Sequence, residues 1–196
     1  MNFIMSLMLL TTPMGQAVPL APPVQPAQLM HITGDIDEMV GTFVPLMIGS
    51  AGEELTIYIH SNGGYLEAAE AVVAALDARR AKGWQTKCYA TKAISAAFII
   101  FTGCDVRYAA PYGATFMMHY AYLGNINLTV GNVDELHRRL HENKKKMDKW
   151  AEDMFKHQAD IMKKYMLEEK MMDGRELCKT FLGFCKVSYV FAPLEE

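Results

Sequence analysis

The stretch Leu55-Thr56-Ile57-Tyr58-Ile59-His60-Ser61-Asn62-Gly63-Gly64-Tyr65-Leu66 decides how the rest of the chain is read. Its first six residues are β-branched, aromatic or apolar and predict a strand. Ser61-Asn62-Gly63-Gly64 then breaks the strand, and residues 66–81, rich in Ala, Val and Leu, predict a helix. Outward from this βα unit the alternation continues. Residues 29–33 form a short apolar strand that ends at Gly34, and residues 35–48 carry Ile36, Val40, Phe43, Val44 and Met47 at helical spacing, with Pro45 an expected interruption. Downstream, residues 86–90 predict a strand and 96–101 an apolar helix. Two more short strands follow at 106–109 and 114–119. The order β, α, β, α, β implies an α/β fold with right-handed crossovers and a sheet covered by helices. Active sites of such sheets gather in loops beyond the strand carboxyl ends, where both 61–64 and 91–95 are expected to lie.

A different pattern starts near Gly131. Val133, Leu136, Leu140, Met147, Trp150, Met154, Ile161 and Tyr165 recur at mostly three- and four-residue steps among Lys, Glu and His. This predicts a long amphipathic helix, broken once near 157–160, with more apolar face than a small sheet can cover. A second copy of the chain is the natural place for the excess.

The 196 residues, 51% hydrophobic, suffice for one domain with a buried core, assigned to residues 29–196. The net charge of −3 excludes an obvious polyanion partner, and Lys144-Lys145-Lys146 reads as a solvated helix face. Cys88, Cys104, Cys178 and Cys185 form no C-x-x-C pair, so they are expected as free, apolar residues in a reduced, cytoplasmic setting. His137 and His141 share a helix face without a third ligand nearby, so no metal or other cofactor is expected. Residues 1–28 read as a poorly ordered or separately docking arm, rich in proline from Pro19 onward. The apolar run 3–10 is too short to span a bilayer, and the first cationic residue is Arg79. A weak signal or cleaved propeptide is the alternative for this arm, and no membrane span is expected.

Three local features carry chemistry. Consecutive glycines at 63 and 64 allow a sharp turn that leaves amides open to an oxyanion. Ser95 opens the apolar helix, where first-turn amides favour negative charge; alone, it would be read as a simple N-cap. His119 stands where a strand runs into a loop.

Together these features resemble the proteolytic subunit of the Clp protease (ClpP) family. Its S-P-G-G turn is similar to Ser61-Asn62-Gly63-Gly64, and its G-x-A-A-S-M-G-A segment to residues 91–98. Its R-x-x-x-P and M-x-H elements correspond to Arg107, Pro111, Met117 and His119, and its I-x-L-T-G-x-I strand to residues 30–36. The resemblance covers roughly residues 29–170. It implies a ClpP/crotonase-type fold with a long C-terminal handle helix, here about 131–172, and a serine endopeptidase that hydrolyses polypeptide substrates. Ser95 would be the nucleophile and His119 its base. The amides of Gly64 and Ala96 would form the oxyanion hole, and substrate would pair with backbone near Tyr65 and residues 124–131. The family places an aspartate after the handle; Asp173 is the candidate, with Glu168 or Glu169 as substitutes. Stacked homo-oligomeric rings enclosing a chamber, and an ATP-driven AAA+ unfoldase partner, are further implications. The chain departs from the family at Thr91, Asn62 and Ile94, and its expected Y-G-L-[IV]-D ending is replaced by residues 180–190. Two alternatives stay open, a noncatalytic structural ring subunit and a crotonase-type acyl-CoA enzyme. Lys92 as a Ser-Lys partner and His60 as a base are weaker site assignments.

Overall fold

The computed structural model describes residues 28–120 and 130–189. All but Gln28 of the expected N-terminal arm lies outside the described residues, as does most of the segment 124–131.

The chain begins with β1 (Gln28–Ile36), α1 (Glu38–Ser50), β2 (Glu54–Gly64), α2 (Leu66–Ala81), β3 (Gln85–Ile94) and α3 (Ala96–Gly103). Two short strands follow, β4 (Val106–Ala109) and β5 (Thr115–Met117). Then come α4 (Val133–Phe155), a single 3₁₀ turn (Lys156–Gln158), α5 (Ala159–Glu168), α6 (Gly174–Thr180) and β6 (Lys186–Val187). The sheet order is β1-β2-β3-β4-β6, with β5 pairing β3, and every ladder is parallel. This is the mixed α/β architecture expected, a parallel sheet with flanking helices.

Local chemistry explains the helices. The Asp37 carboxylate caps α1 by accepting the N–H of Val40 at 3.0 Å. Pro45 does not interrupt α1, which runs through it; the proline removes one N–H, so only the carbonyl of Gly41 loses its helical donor. Gly41 itself lies against Ala68, where an added Cβ would come within 2.9 Å of its Cα, so α1 and α2 approach closely. All of α3 is buried, as a nearly all-apolar helix requires, and its Thr102 hydroxyl donates to the Ile99 carbonyl. Arg79, 1% exposed, is satisfied by the carbonyls of Ile48, Ala51, Gly52 and Glu53 and by the Thr86 hydroxyl. It fastens the end of α1 and the start of β2 to α2 and β3.

On the sheet face away from the residues buried in the core, His31, Tyr58, Tyr89 and Tyr108 stack in register across four strands, with centroids 5.3, 5.2 and 4.6 Å apart. The helical break expected near 157–160 is the 3₁₀ turn between α4 and α5. Leu136 is the one buried residue in the part of α4 before Met147; Val133 and Leu140 remain exposed.

Two expectations are corrected. The cysteines are not free: Cys88 pairs with Cys104 and Cys178 with Cys185, their Cα atoms 6.0 and 5.1 Å apart. The fold supplies this proximity, since Cys88 lies on β3 and Cys104 ends the helix that follows it. Nor are 61–64 and 91–94 loops. β2 runs through Gly64 because β1 accompanies it to the Ile36–Gly64 pair, and β3 runs to Ile94 because β5 takes over its edge.

Candidate active site

β3 is the axis of the site. β4 pairs with it over residues 87–90, and β5 pairs with it over 92–94. That handover brings the segment carrying His119 to the point where β3 ends and α3 begins. There the N–H of Ser95 donates to the carbonyl of Met117 at 2.8 Å, two residues before His119.

Ser95 has φ 56° and ψ −124°, a left-handed backbone that a serine adopts only under constraint. Its carbonyl accepts the N–H groups of Phe98 and Ile99 at 2.9 and 3.4 Å, while its side chain makes no cap bond to the helix. The helix is therefore started by the backbone, and the reading of Ser95 as a simple N-cap fails. A half-buried hydroxyl on a sharp strand-to-helix turn, at the amino end of a helix, is the setting in which serines act as nucleophiles.

The glycine turn is packed directly against this one. An added Cβ on Gly63 would overlap the carbonyl oxygen of Ile94 and come within 2.8 Å of the Ser95 Cβ and 2.9 Å of the Ala96 nitrogen. Gly63 has φ +94° and Gly64 φ +152°, so both positions favour glycine on backbone grounds as well. Ser61, 2% exposed, braces the turn: its hydroxyl donates to the Gly34 carbonyl at 2.5 Å and accepts the N–H of Gly63 at 3.0 Å. Sequence reasoning treated Ser61 as part of a break and missed this role. The signal was a small hydroxyl residue two positions before a glycine. Tyr65 follows with an exposed side chain, its N–H bonded to the Ile36 carbonyl at 2.7 Å.

His119 is half-buried, and its Nδ1 lies 2.8 Å from the carbonyl oxygen of Tyr120. A carbonyl only accepts, so Nδ1 is the donor in this bond. Nε2 is then the nitrogen that would serve a general base.

Asp173 sits at the N-cap of α6, where its Oδ1 accepts the N–H of Glu176 at 2.7 Å. Just before it, Met172 forms an antiparallel bridge with Phe116, each N–H donating to the other's carbonyl at 2.8 Å. In an antiparallel bridge the residues before Met172 follow β5 toward its carboxyl end, and those after it lead back toward Thr115. Glu169 is thus on the His119 side of the bridge and Asp173 on the other. Glu169 closes α5 with a left-handed backbone, φ 49°, and Glu168 lies 3.8 Å from the Lys164 ammonium. Lys92 lies inside β3, paired with Thr115 on one side and His60 on the other. His60 is exposed and bonded through Nδ1 to the Thr91 hydroxyl at 2.7 Å. Among the described residues no group of three or more His, Cys, Asp or Glu side chains gathers to hold a metal, and no helix is long and apolar enough to cross a membrane.

Gly63 pressed against the strained Ser95 turn, with His119 two residues beyond the strand that pairs with β3, defines a parallel α/β protein with a hydrolase-like strand-to-helix serine turn. The chain belongs to the Clp protease family, whose profile matches residues 30–183, well over half its length. The match takes in the glycine turn, Ser95, His119 and the handle. No individual characterised protein is similar enough to register as a match.

Proposed function

We propose that the protein is a ClpP-like serine endopeptidase. Ser95 Oγ attacks a peptide carbonyl as Nε2 of His119 removes its proton. The oxyanion that forms is met by the N–H groups of Gly64 and Ala96; the latter belongs to the first turn of α3, whose early amides have no helical acceptor. The imidazolium returns the proton to the leaving amine, and water then releases the acyl group by the same route in reverse. Substrate runs in extended form past Tyr65. The observation that carries the reading is the strained Ser95 turn, with its N–H bonded to the strand that delivers His119.

We give the third position to Glu169 in preference to Asp173. The direction of the Phe116–Met172 bridge favours Glu169, and the Asp173 carboxylate is already used to cap α6. A carboxylate at 169 would stabilise the imidazolium by charge. The amino-terminal half of α4, with Val133 and Leu140 exposed, supports self-assembly through the handle into a closed chamber. An unfoldase that feeds polypeptide to such a chamber is part of the same reading.

The test is labelling with a fluorophosphonate probe, read by intact mass on the assembled protein. Wild type should gain one adduct, and Ser95→Ala should gain none. Absence of labelling in wild type would instead favour a noncatalytic ring subunit. Equal labelling of Ser95→Ala would remove Ser95 from the role.

A further inference from the structure

The contacts that hold the base lead away from the site to the handle. The carbonyl that receives the His119 Nδ1–H belongs to Tyr120. The phenol of the same residue donates to Oδ1 of Asp148, on α4, at 2.6 Å. Asp148 in turn takes the ammonium of Lys144, one helical turn earlier, at 2.5 Å, and that ammonium also stands 5.1 Å from the centre of the Tyr120 ring. The Tyr120 ring is therefore gripped from two sides by one turn of α4, while its backbone grips the imidazole. Burial, and then the Asp148 carboxylate beside it, hold the phenol protonated well above the usual tyrosine range. Burial alone would push the Asp148 carboxyl up. The hydrogen bonds from Lys144 and Tyr120 outweigh it and keep the group below the usual carboxylate range. Donor and acceptor are thus both held in the protonation states the bond requires.

We propose that Tyr120 is a positioning residue, tied to α4 through Asp148, whose carbonyl takes the Nδ1–H of His119 and so orients the imidazole with Nε2 as the base nitrogen. The inference rests on the peptidase reading for the role of His119. Its geometry does not depend on which carboxylate completes the site. Tyr120 touches no reacting atom; it acts through the imidazole. A histidine side chain in water favours the Nε2–H form, so releasing the tether lets the ring return toward the wrong tautomer. A charge-assisted hydrogen bond of this kind corresponds to a loss of about tenfold in rate when removed.

The experiment uses the full chain with histidine-selective carbon-13 and nitrogen-15 labels, His119 being assigned by the signal lost in His119→Asn. In wild type the His119 shifts should report the Nδ1–H tautomer. Tyr120→Phe and Asp148→Ala should each move them toward Nε2–H and slow fluorophosphonate labelling about tenfold. The double variant should be no slower than either single one, because both break the same link. Asp148→Asn, which keeps an acceptor oxygen, should recover part of the rate and carries the test if Asp148→Ala does not fold. An Nε2–H ring in wild type, or unchanged shifts and rate in Tyr120→Phe, overturns the proposal. Should wild type fail to label while its tautomer still depends on Tyr120, the peptidase reading falls and the positioning role stands.

Discussion

Replacing Gly63 with alanine tests whether the two turns form one site. The new Cβ would lie 2.8 Å from the Ser95 Cβ, where carbon atoms ordinarily rest ~3.5 Å apart or more. One turn must therefore retreat by about 0.7 Å. The retreat falls on Ser95, on the Ala96 nitrogen 2.9 Å from the added atom, and most of all on the Ile94 carbonyl oxygen, which that atom overlaps. A displacement near 1 Å costs roughly 100-fold in rate, and losing one oxyanion donor costs about the same. Stability falls too. Alanine at φ +94° is strained by about 1–2 kcal/mol, and the overlap adds about 1–3 kcal/mol. At ~2–4 °C per kcal/mol for a chain of this size, melting should drop by roughly 5–15 °C. The control is Gly83→Ala, at φ +77° with nothing within 4 Å of the added carbon. It bears the backbone strain alone, so melting should drop a few degrees and fluorophosphonate labelling should not change. The assay compares labelling rates at a temperature where circular dichroism shows all three proteins folded. A Gly63→Ala protein that labels within threefold of wild type would refute the claim that this glycine sets the Ser95 turn.

Other perturbations probe the scaffold. Arg79→Met should leave the carbonyls of Ile48, Ala51, Gly52 and Glu53 without a shared donor; a loss of about 3–5 kcal/mol is expected by denaturant unfolding, and Arg79→Lys should not restore it. Opening the Cys88–Cys104 disulfide, which closes a separation of 16 residues, should cost about 3 kcal/mol, and opening Cys178–Cys185, with a separation of 7, somewhat less. Melting curves of the two Cys-to-Ser pairs, with and without reductant, check both values. Because the Tyr120 hydroxyl has its pKa raised in the fold, its contribution is complete below the unfolded value of about 10 and is lost as pH rises above it. Tyr120→Phe should therefore show a shallower fall in melting temperature than wild type between pH 9 and 11.

Much of this molecule was legible in its residues. The alternation of strand and helix through residue 109, the limits of α2, and the break between α4 and α5 all follow from local periodicity. Backbone preference and side-chain spacing act within a few residues there, so neighbouring elements need not be known. The same holds for Gly63 and Gly64 as backbone positions that other residues resist, although they close β2 rather than forming a separate turn. Ser95 and His119 were legible as candidates through their placement and the family resemblance.

The rest was decided by contacts between segments far apart in the chain. How far β2 and β3 extend depends on β1 and β5 lying beside them, because a strand continues as long as its backbone groups find partners. The cysteines pair because the sheet and α3 bring their Cα atoms to within bonding reach, a distance that spacing in sequence does not encode. The choice between Asp173 and Glu169 turns on the direction of one bridge to Phe116. The His119 ring is hydrogen-bonded to a carbonyl whose residue is tied to a helix 28 positions away. Composition and pattern determined which elements this protein is made of and which side chains are candidates for its chemistry. Only the tertiary structure decided their pairing and protonation, because those depend on distances of a few ångströms between residues that periodicity cannot relate.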